Sequence, residues 1–306
     1  MGRYVARRLA LSVPVFIGIT VIVFGLMSLT PGDPISITMG EKADPVVVAR
    51  VRHEMGLDRP LWEQYVQYVW NAAHGDFGNS FYYRDRSVAS IIADGLPVSA
   101  TLGLLATAVA VVLAIPLGIL AALRQNSLVD YLSMSFAVAG VSVPIFVVAP
   151  LLIWIFALQL NVLPVAGWGS LQQALIPAAA LGVRPAALLA RQIRQSVVEV
   201  LGQEYVRTAR AKGLPELRTI AVHVLRNALI PVVTVLGLVV AGLITGTFII
   251  ETISAVPGIG NIAVTSVFRR DFPVLMAISL IYAVAYVSLN LVVDVLYAVI
   301  DPRIRY

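Results

Sequence analysis

The residues best placed to do chemistry lie in one polar, basic stretch, 204–231, within an otherwise apolar second half of the chain. Its first part, 204–212, consists of good helix formers and stops at Gly213, a residue that ends helices by adopting a left-handed conformation. Pro215 then suits the first turn of a second helix. Two short helices joined at a glycine would form a compact knob that can dock in a cleft on a soluble partner. The alternative is an ordinary basic cytoplasmic loop.

The sequence carries no recognisable catalytic or cofactor site. It has no Gly-x-x-x-x-Gly-Lys-Ser/Thr motif, so it cannot cradle the phosphates of ATP by itself. Its histidines, His53, His74 and His223, lack metal-ligand spacing, and the chain contains no cysteine. No serine lies in a nucleophile-elbow pattern with a matching histidine and acid. We therefore expect a non-catalytic chain without a metal or cofactor of its own.

The composition is that of a membrane protein. Hydrophobic residues make up 59% of the 306 residues and charged residues only 13%, whereas soluble domains carry about 25% charged residues. The net charge of +5 does not indicate nucleic acid binding, because the basic residues lie between apolar runs and not along one face. The sequence predicts an all-α polytopic membrane protein with a single transmembrane domain over residues 1–306.

Six apolar stretches are long enough to cross a bilayer whose hydrocarbon core is about 30 Å thick. They cover about 9–29, 98–123, 131–160, 175–195, 228–250 and 273–300. The polar stretch 30–97 is richer in acids than in bases and is predicted to be extracytoplasmic. The basic stretch 196–227 is predicted to be cytoplasmic, and both termini are then cytoplasmic as well.

Arg184 differs from the other basic residues because it falls well inside the fourth apolar stretch, next to Pro185. An arginine at that depth is costly unless it reaches the headgroups, a wet cavity or a partner. One interpretation is a side chain that snorkels inward toward Arg191. The other is a cavity-facing cation that meets a substrate carboxylate. The sequence leaves both open.

An ordered set of short motifs runs through nearly the whole chain. In the basic stretch, Glu204, Ala209, Gly213 and Ile230-Pro231 resemble an "EAA" loop. The other motifs are Thr-Pro-Gly-Asp-Pro from Thr30, Gly-Asp-Phe-Gly-Asn-Ser from Gly75, Leu-Pro-Val-Ala-Gly from Leu163, Pro-Gly-Ile-Gly from Pro257, Arg-Arg-Asp-Phe-Pro from Arg269 and a closing Asp-Pro-Arg-Ile-Arg. Together they resemble the permease subunits of ATP-binding-cassette (ABC) importers, in the dipeptide/oligopeptide/nickel branch.

The resemblance implies a type I ABC importer permease fold in a bacterial or archaeal cytoplasmic membrane. It implies that the basic stretch holds a coupling helix in a groove of an ATPase subunit, with coupling roles for Glu204, Arg207, Ala209, Arg210, Lys212 and Gly213. The implied partners are a second homologous permease subunit, one or two ATPase subunits that bind ATP and Mg, and an extracytoplasmic substrate-binding protein. The implied function is ATP-driven import of di- or oligopeptides.

Other functions stay open at this point. Nickel, glutathione or haem are alternative cargos of the same importer class. A stand-alone channel or an ion-coupled secondary transporter predicts acids at the centres of several spans, and these are largely missing. An intramembrane enzyme would need a nucleophile and a base at matching depth.

The predicted topology can be tested with single cysteines, since the chain has none of its own. We expect the Thr30→Cys and Gly167→Cys variants to react with an impermeant maleimide in intact cells. The Gly213→Cys variant should react only after permeabilisation. Labelling of this third variant in intact cells would contradict the topology.

Overall fold

The computed structural model describes residues 2–29, 44–54, 56–83, 85–245 and 247–300. Within these residues the regular structure is helical, apart from one isolated bridge between Asn79 and Ser87. The predicted all-α class is confirmed. The motif at 30–34, with Thr30, and the C-terminal residues 301–306 lie outside the described residues.

Helices account for most of the described residues. In chain order they are α1 (Gly2–Leu29), α2 (Pro45–Glu54), α3 (Leu61–Ala73), α4 (Val88–Leu123), α5 (Leu128–Ser142), α6 (Ile145–Gln159), α7 (Leu171–Leu201), α8 (Glu204–Ala211), α9 (Glu216–Ala228), α10 (Ile230–Thr245), α11 (Phe248–Ile253), α12 (Ile259–Arg269) and α13 (Phe272–Ile300). The end of α6, Ile153–Gln159, and the middle of α9, Thr219–Val224, are π-helical.

Four of these helices are long and apolar enough to cross a membrane by themselves. They are Ala10–Leu29 of α1, all of α4, all of α7, and Phe272–Val293 of α13. The pair α5 and α6 is bent by 111°, and the pair α9 and α10 by 52°. If each bent pair is one span, the total is 6, the number that the sequence predicts.

The helices differ from the predicted apolar stretches in two ways. The stretch 131–160 is interrupted, because Pro144 has no amide hydrogen and its ring cannot continue α5. The helix α5 therefore ends at Ser142, and Pro144 is the N-cap of α6. The helix α4 begins at Val88, well before the predicted start of the second span at residue 98. The polar stretch 30–97 therefore includes the first turns of a long helix.

The chain divides into two compact units. The first comprises Met1–Ser99 and Pro257–Ser288, and the second Ala100–Val256 and Leu289–Tyr306. In the first unit, a buried carboxylate joins two of the sequence motifs: Asp271 accepts hydrogen bonds from the Ser80 hydroxyl and, at 3.0 Å, from the Phe81 amide. Because a buried carboxylate requires such donors, these motif residues have a structural role.

The second unit is built around α7, which packs against α5, α6, α9, α10 and α11. A Cβ placed on Gly118 of α4 would lie 2.7 Å from the Ala190 carbonyl oxygen, and one on Gly182 would lie 2.7 Å from that of Ala106. Small residues thus let α4 and α7 approach closely, as is common between membrane helices. We call the buried residues of this region the α7 cluster: Ala110, Ala114, Ala122, Ala186, Leu189, Ala190, Ile193, Val197, Val206, Val224, Ala228 and Val232.

Candidate coupling site

The helix predicted in the basic stretch is present as α8, Glu204–Ala211, and it ends at the glycine that the sequence indicates. Gly213 has a φ of +79°, in the left-handed region. Its amide donates to the Arg210 carbonyl oxygen at 2.9 Å, and the Leu214 amide donates to that of Ala209 at 3.3 Å. These two bonds form a Schellman motif, which satisfies carbonyl groups that a helix end leaves unpaired. Gly213 therefore sets the direction in which the chain leaves α8.

One face of α8 is anchored inside the chain. Val206 is fully buried and Ala209 is 5% exposed, and the two are one helical turn apart. Val206 belongs to the α7 cluster, together with Val197 of α7 and Val224 of α9. The α8 helix is thus fixed to the membrane-spanning part of the second unit by apolar packing.

The other face of α8 is exposed and carries charge. Glu204, Arg207, Arg210 and Lys212 are all exposed. Arg207 donates to Glu204 at 2.9 Å on the same helix. An exposed pair of this kind stabilises a helix only weakly, so these side chains remain available to a partner.

A second ion pair spans the turn at Gly213. The Arg210 guanidinium donates to both carboxylate oxygens of Glu216, at 3.1 and 2.6 Å. The Glu216 carboxylate raises the pKa of Arg210. Because Arg210 is in α8 and Glu216 begins α9, this bidentate pair holds the two helices in one relative orientation. The sequence did not single out Glu216; its only signal was an acid directly after Pro215, in the first turn of the second helix.

The structure leaves most of the coupling residues inferred from the sequence exposed and buries one of them. Glu204, Arg207, Arg210 and Lys212 lie on the exposed face, and Gly213 forms the turn. Ala209 does not join them. A small side chain can allow close approach of a partner, but the helical register places Ala209 on the buried face, so it packs within this chain. The exposed Ala211 remains available for such an approach.

Arg184 lies in α7, away from α8 in sequence, and its side chain is exposed. It makes no ion pair with any residue that the structure describes. Arg191 and Gln195 are also exposed and follow it at intervals of seven and four residues, so the three lie along one stripe of the helix. Ala186 is fully buried on the opposite side of the helix, and Ala187, one turn from Arg184, is buried beside the stripe. Arg184, which the sequence identified, is thus one member of a polar stripe on α7.

The described residues contain no group of three or more histidine, aspartate or glutamate side chains that could hold a metal ion. The α8 helix therefore presents charged side chains on its exposed face, and apolar packing holds its other face.

Comparison with solved structures identifies the class of fold. The chain is similar to an amino acid ABC transporter crystallised with histidines, with a TM-score of 0.55 and 17% identity over 68% of this chain and 93% of that one. It is also similar to an inward-facing form of the MetNI methionine ABC transporter, with a TM-score of 0.58 and 14% identity over 69% of this chain and 96% of that one. The fold is that of a type I ABC importer permease.

Comparison of sequences identifies the family. Residues 1–103 match the N-terminal part, and residues 114–306 the main part, of the family described as binding-protein-dependent transport system inner membrane component. The chain is 42% identical to the oligopeptide transport system permease protein OppB of Haemophilus influenzae, over 100% of both chains. It is 42% identical to the dipeptide transport system permease protein DppB of Bacillus subtilis, over 100% of this chain and 98% of that protein. The chain belongs to this family, as an ABC importer permease of the dipeptide/oligopeptide group.

The anchoring of α8 can be tested at Val206. We expect Val206→Ala to remove two buried methyl groups and to weaken the attachment of α8 by about 2 kcal/mol. Trypsin should then cleave faster at Arg207, Arg210 and Lys212, as measured on the purified protein. Tyr205→Ala changes an exposed neighbour and is the matched control. Equal cleavage rates in the two variants would show that Val206 does not anchor the helix.

Proposed function

We propose that this chain is one of the two permease subunits of an ATP-driven importer of di- or oligopeptides. The observation that carries the proposal is the two-sided α8 helix: its charged face is exposed, and its apolar face is inserted into the α7 cluster. A helix of this kind can receive force from a soluble partner and transmit it to membrane-spanning helices. The full-length similarity to proteins named as oligopeptide and dipeptide permeases supports peptides as the cargo.

The proposed assembly contains a second, homologous permease subunit, so that the translocation path forms at the interface of the two. One or two ATPase subunits bind ATP and Mg on the cytoplasmic side, and an extracytoplasmic binding protein delivers the cargo. The complex lies in a bacterial or archaeal cytoplasmic membrane, with both termini of this chain and the stretch 196–227 facing the cytoplasm. The basic residues of that stretch, among them Arg207, Arg210 and Lys212, support this orientation.

In this proposal the chain performs no chemistry, and its role in each ATP cycle is mechanical. The exposed face of α8 sits in a groove of an ATPase subunit, where Glu204 and Arg207 exchange their mutual pair for charges of the partner. The bidentate Arg210–Glu216 pair and the left-handed Gly213 hold α8 and α9 at a fixed angle. When the ATPase subunits move, α8 and the helices behind it are displaced together.

The turn at Gly213 provides the sharpest test of this role. We expect Gly213→Val to misalign α8, because a β-branched residue in the left-handed region is disfavoured by about 1–2 kcal/mol. Glu204→Arg should act differently, by reversing a charge on the exposed face. In both variants the spans insert and the second permease subunit binds, but cargo-loaded binding protein no longer stimulates ATP hydrolysis.

The measurement is the ATPase activity of the reconstituted complex with and without loaded binding protein. Gly202→Val is the matched control, because Gly202 precedes α8 with a φ of −80°, which other residues tolerate. Wild-type stimulation in both Gly213→Val and Glu204→Arg would refute the coupling role of α8.

We further propose that Arg184 faces the water-filled path at the interface with the second permease subunit and meets the carboxylate of the cargo. Its exposure and the polar stripe formed with Arg191 and Gln195 support this, since a stripe of charge on a membrane helix is costly against lipid. A charge-assisted hydrogen bond to a carboxylate contributes about 1.5–3 kcal/mol.

Arg184→Gln should therefore reduce uptake of peptides with a free C-terminal carboxylate by about tenfold or more. Uptake of the same peptides with an amidated C-terminus should change little, which makes them the internal control. The measurement is uptake of both radiolabelled forms into proteoliposomes. An equal loss for both would assign Arg184 a structural role.

A further inference from the structure

A partly buried ion pair joins α5 to α7. Asp130, which is 3% exposed, accepts two hydrogen bonds from the Arg194 guanidinium, Nε to Oδ1 and Nη2 to Oδ2, both at 2.6 Å. The residues are 64 positions apart in sequence, so the pair forms only when α5 and α7 are packed together. This fork-to-fork arrangement fixes both distance and angle between the two side chains.

The same carboxylate also holds the link between α4 and α5. Its Oδ2 accepts the Asn126 amide at 3.0 Å, and Asn126 has a φ of +58°. The Ser127 hydroxyl caps α5 by accepting the Asp130 amide at 3.5 Å. Asp130 is therefore the point at which the end of α4, the start of α5 and the side of α7 are connected.

This connection lies close to α8 along the chain. Arg194 is in the last turns of α7, and only Gly202 and Gln203 separate the end of α7 from the start of α8. Val197, one turn beyond Arg194, and Val206 of α8 are both fully buried in the α7 cluster, which also includes Ala122 of α4. The α7 cluster, which also contains Val224 of α9, thus provides a packed route from α8 to the end of α7, the segment that Arg194 ties to α5.

We propose that Asp130 and Arg194 are a positioning pair that transmits the displacement of α8 to α4 and α5. The proposal rests on the proposed coupling function of α8. Apolar side chains can slide past one another, because dispersion contacts have little directional preference, whereas a bidentate ion pair resists sliding and rotation. The α7 cluster joins α8 to α7, and the ion pair prevents α7 from moving without α4 and α5.

Removing one partner should break this transmission while leaving α8 exposed to its ATPase subunit. In Asp130→Asn and Arg194→Gln, we expect the ATPase subunits to co-purify at wild-type levels and the basal ATPase rate to persist. Stimulation by cargo-loaded binding protein should fall by about tenfold, within the range of typical coupling effects. The double variant should lose no more than either single one, because both remove the same interaction.

The test uses the reconstituted complex with its partner subunits, and it measures ATPase binding, basal rate, stimulated rate and peptide uptake. Asp94→Asn is the matched control, since it removes the acid of an exposed ion pair, Arg86–Asp94 at 2.5 Å. If the other variants fail to assemble, Arg194→Lys provides the test. It keeps the charge but loses the fork, so we expect normal assembly with reduced stimulation.

Two results would overturn the proposal. One is wild-type stimulation in Arg194→Gln or Arg194→Lys. The other is loss of ATPase binding in every variant of the pair that still assembles with the second permease subunit. The pair would then only keep α8 in a conformation that binds the ATPase subunit. Failure of the coupling function itself is distinguishable, since it appears as wild-type stimulation in Gly213→Val, in which Asp130 and Arg194 are intact.

Discussion

The close packing of α7 against its neighbours is the interaction on which the second unit depends. In a bilayer the hydrophobic effect does not drive helices together, because lipid tails are as apolar as leucine. Attraction must come from dispersion at short range and from buried polar contacts. The glycines Gly118 and Gly182 supply the first by allowing backbone to meet backbone, and the Asp130–Arg194 pair supplies the second.

This packing explains how a short helix can be stable outside the membrane. An isolated helix of eight residues is not stable in water, since helices shorter than about 12–15 residues are marginal. The α8 helix persists because Val206 is buried, because Gly213 closes its end, and because Arg210 is paired with Glu216. The features that stabilise it are also those that connect it to α7 and α9. Its exposed charges are therefore displayed on a rigid support.

Much of the fold could be predicted from the sequence because its signals are local. Apolar stretches near the thickness of a bilayer, the glycine at 213 and the run of helix formers before it each act within a few residues. The family resemblance rests on local motifs as well. The bend before Pro144 had a local signal too, but its size of 111° depends on what the two halves pack against.

The remainder could not be predicted because it depends on contacts between distant residues. Nothing near Asp130 indicates that its partner is Arg194, and Asp271 meets the Ser80 hydroxyl almost 200 positions away. The placement of Ala209 depended on which face of α8 packs against α9, which the composition of an eight-residue helix does not determine. Arg184 is an intermediate case. Its depth in the apolar stretch is visible in the sequence, but the stripe that it forms with Gln195 is recognised only when the exposure of the α7 side chains is known.

We infer that the end of α4, the start of α5, the end of α7 and α8 move as one body. The most direct measurement is the distance between spin labels at Gln125→Cys and Lys212→Cys, two exposed positions in a chain without cysteine, by double electron–electron resonance. The labelled chain is reconstituted with its partner subunits and examined without nucleotide and with ATP trapped. If these segments move together, the distance distribution is the same in both states. A shift or a marked broadening on ATP binding would contradict it, because α8 would then move independently of the helices behind it.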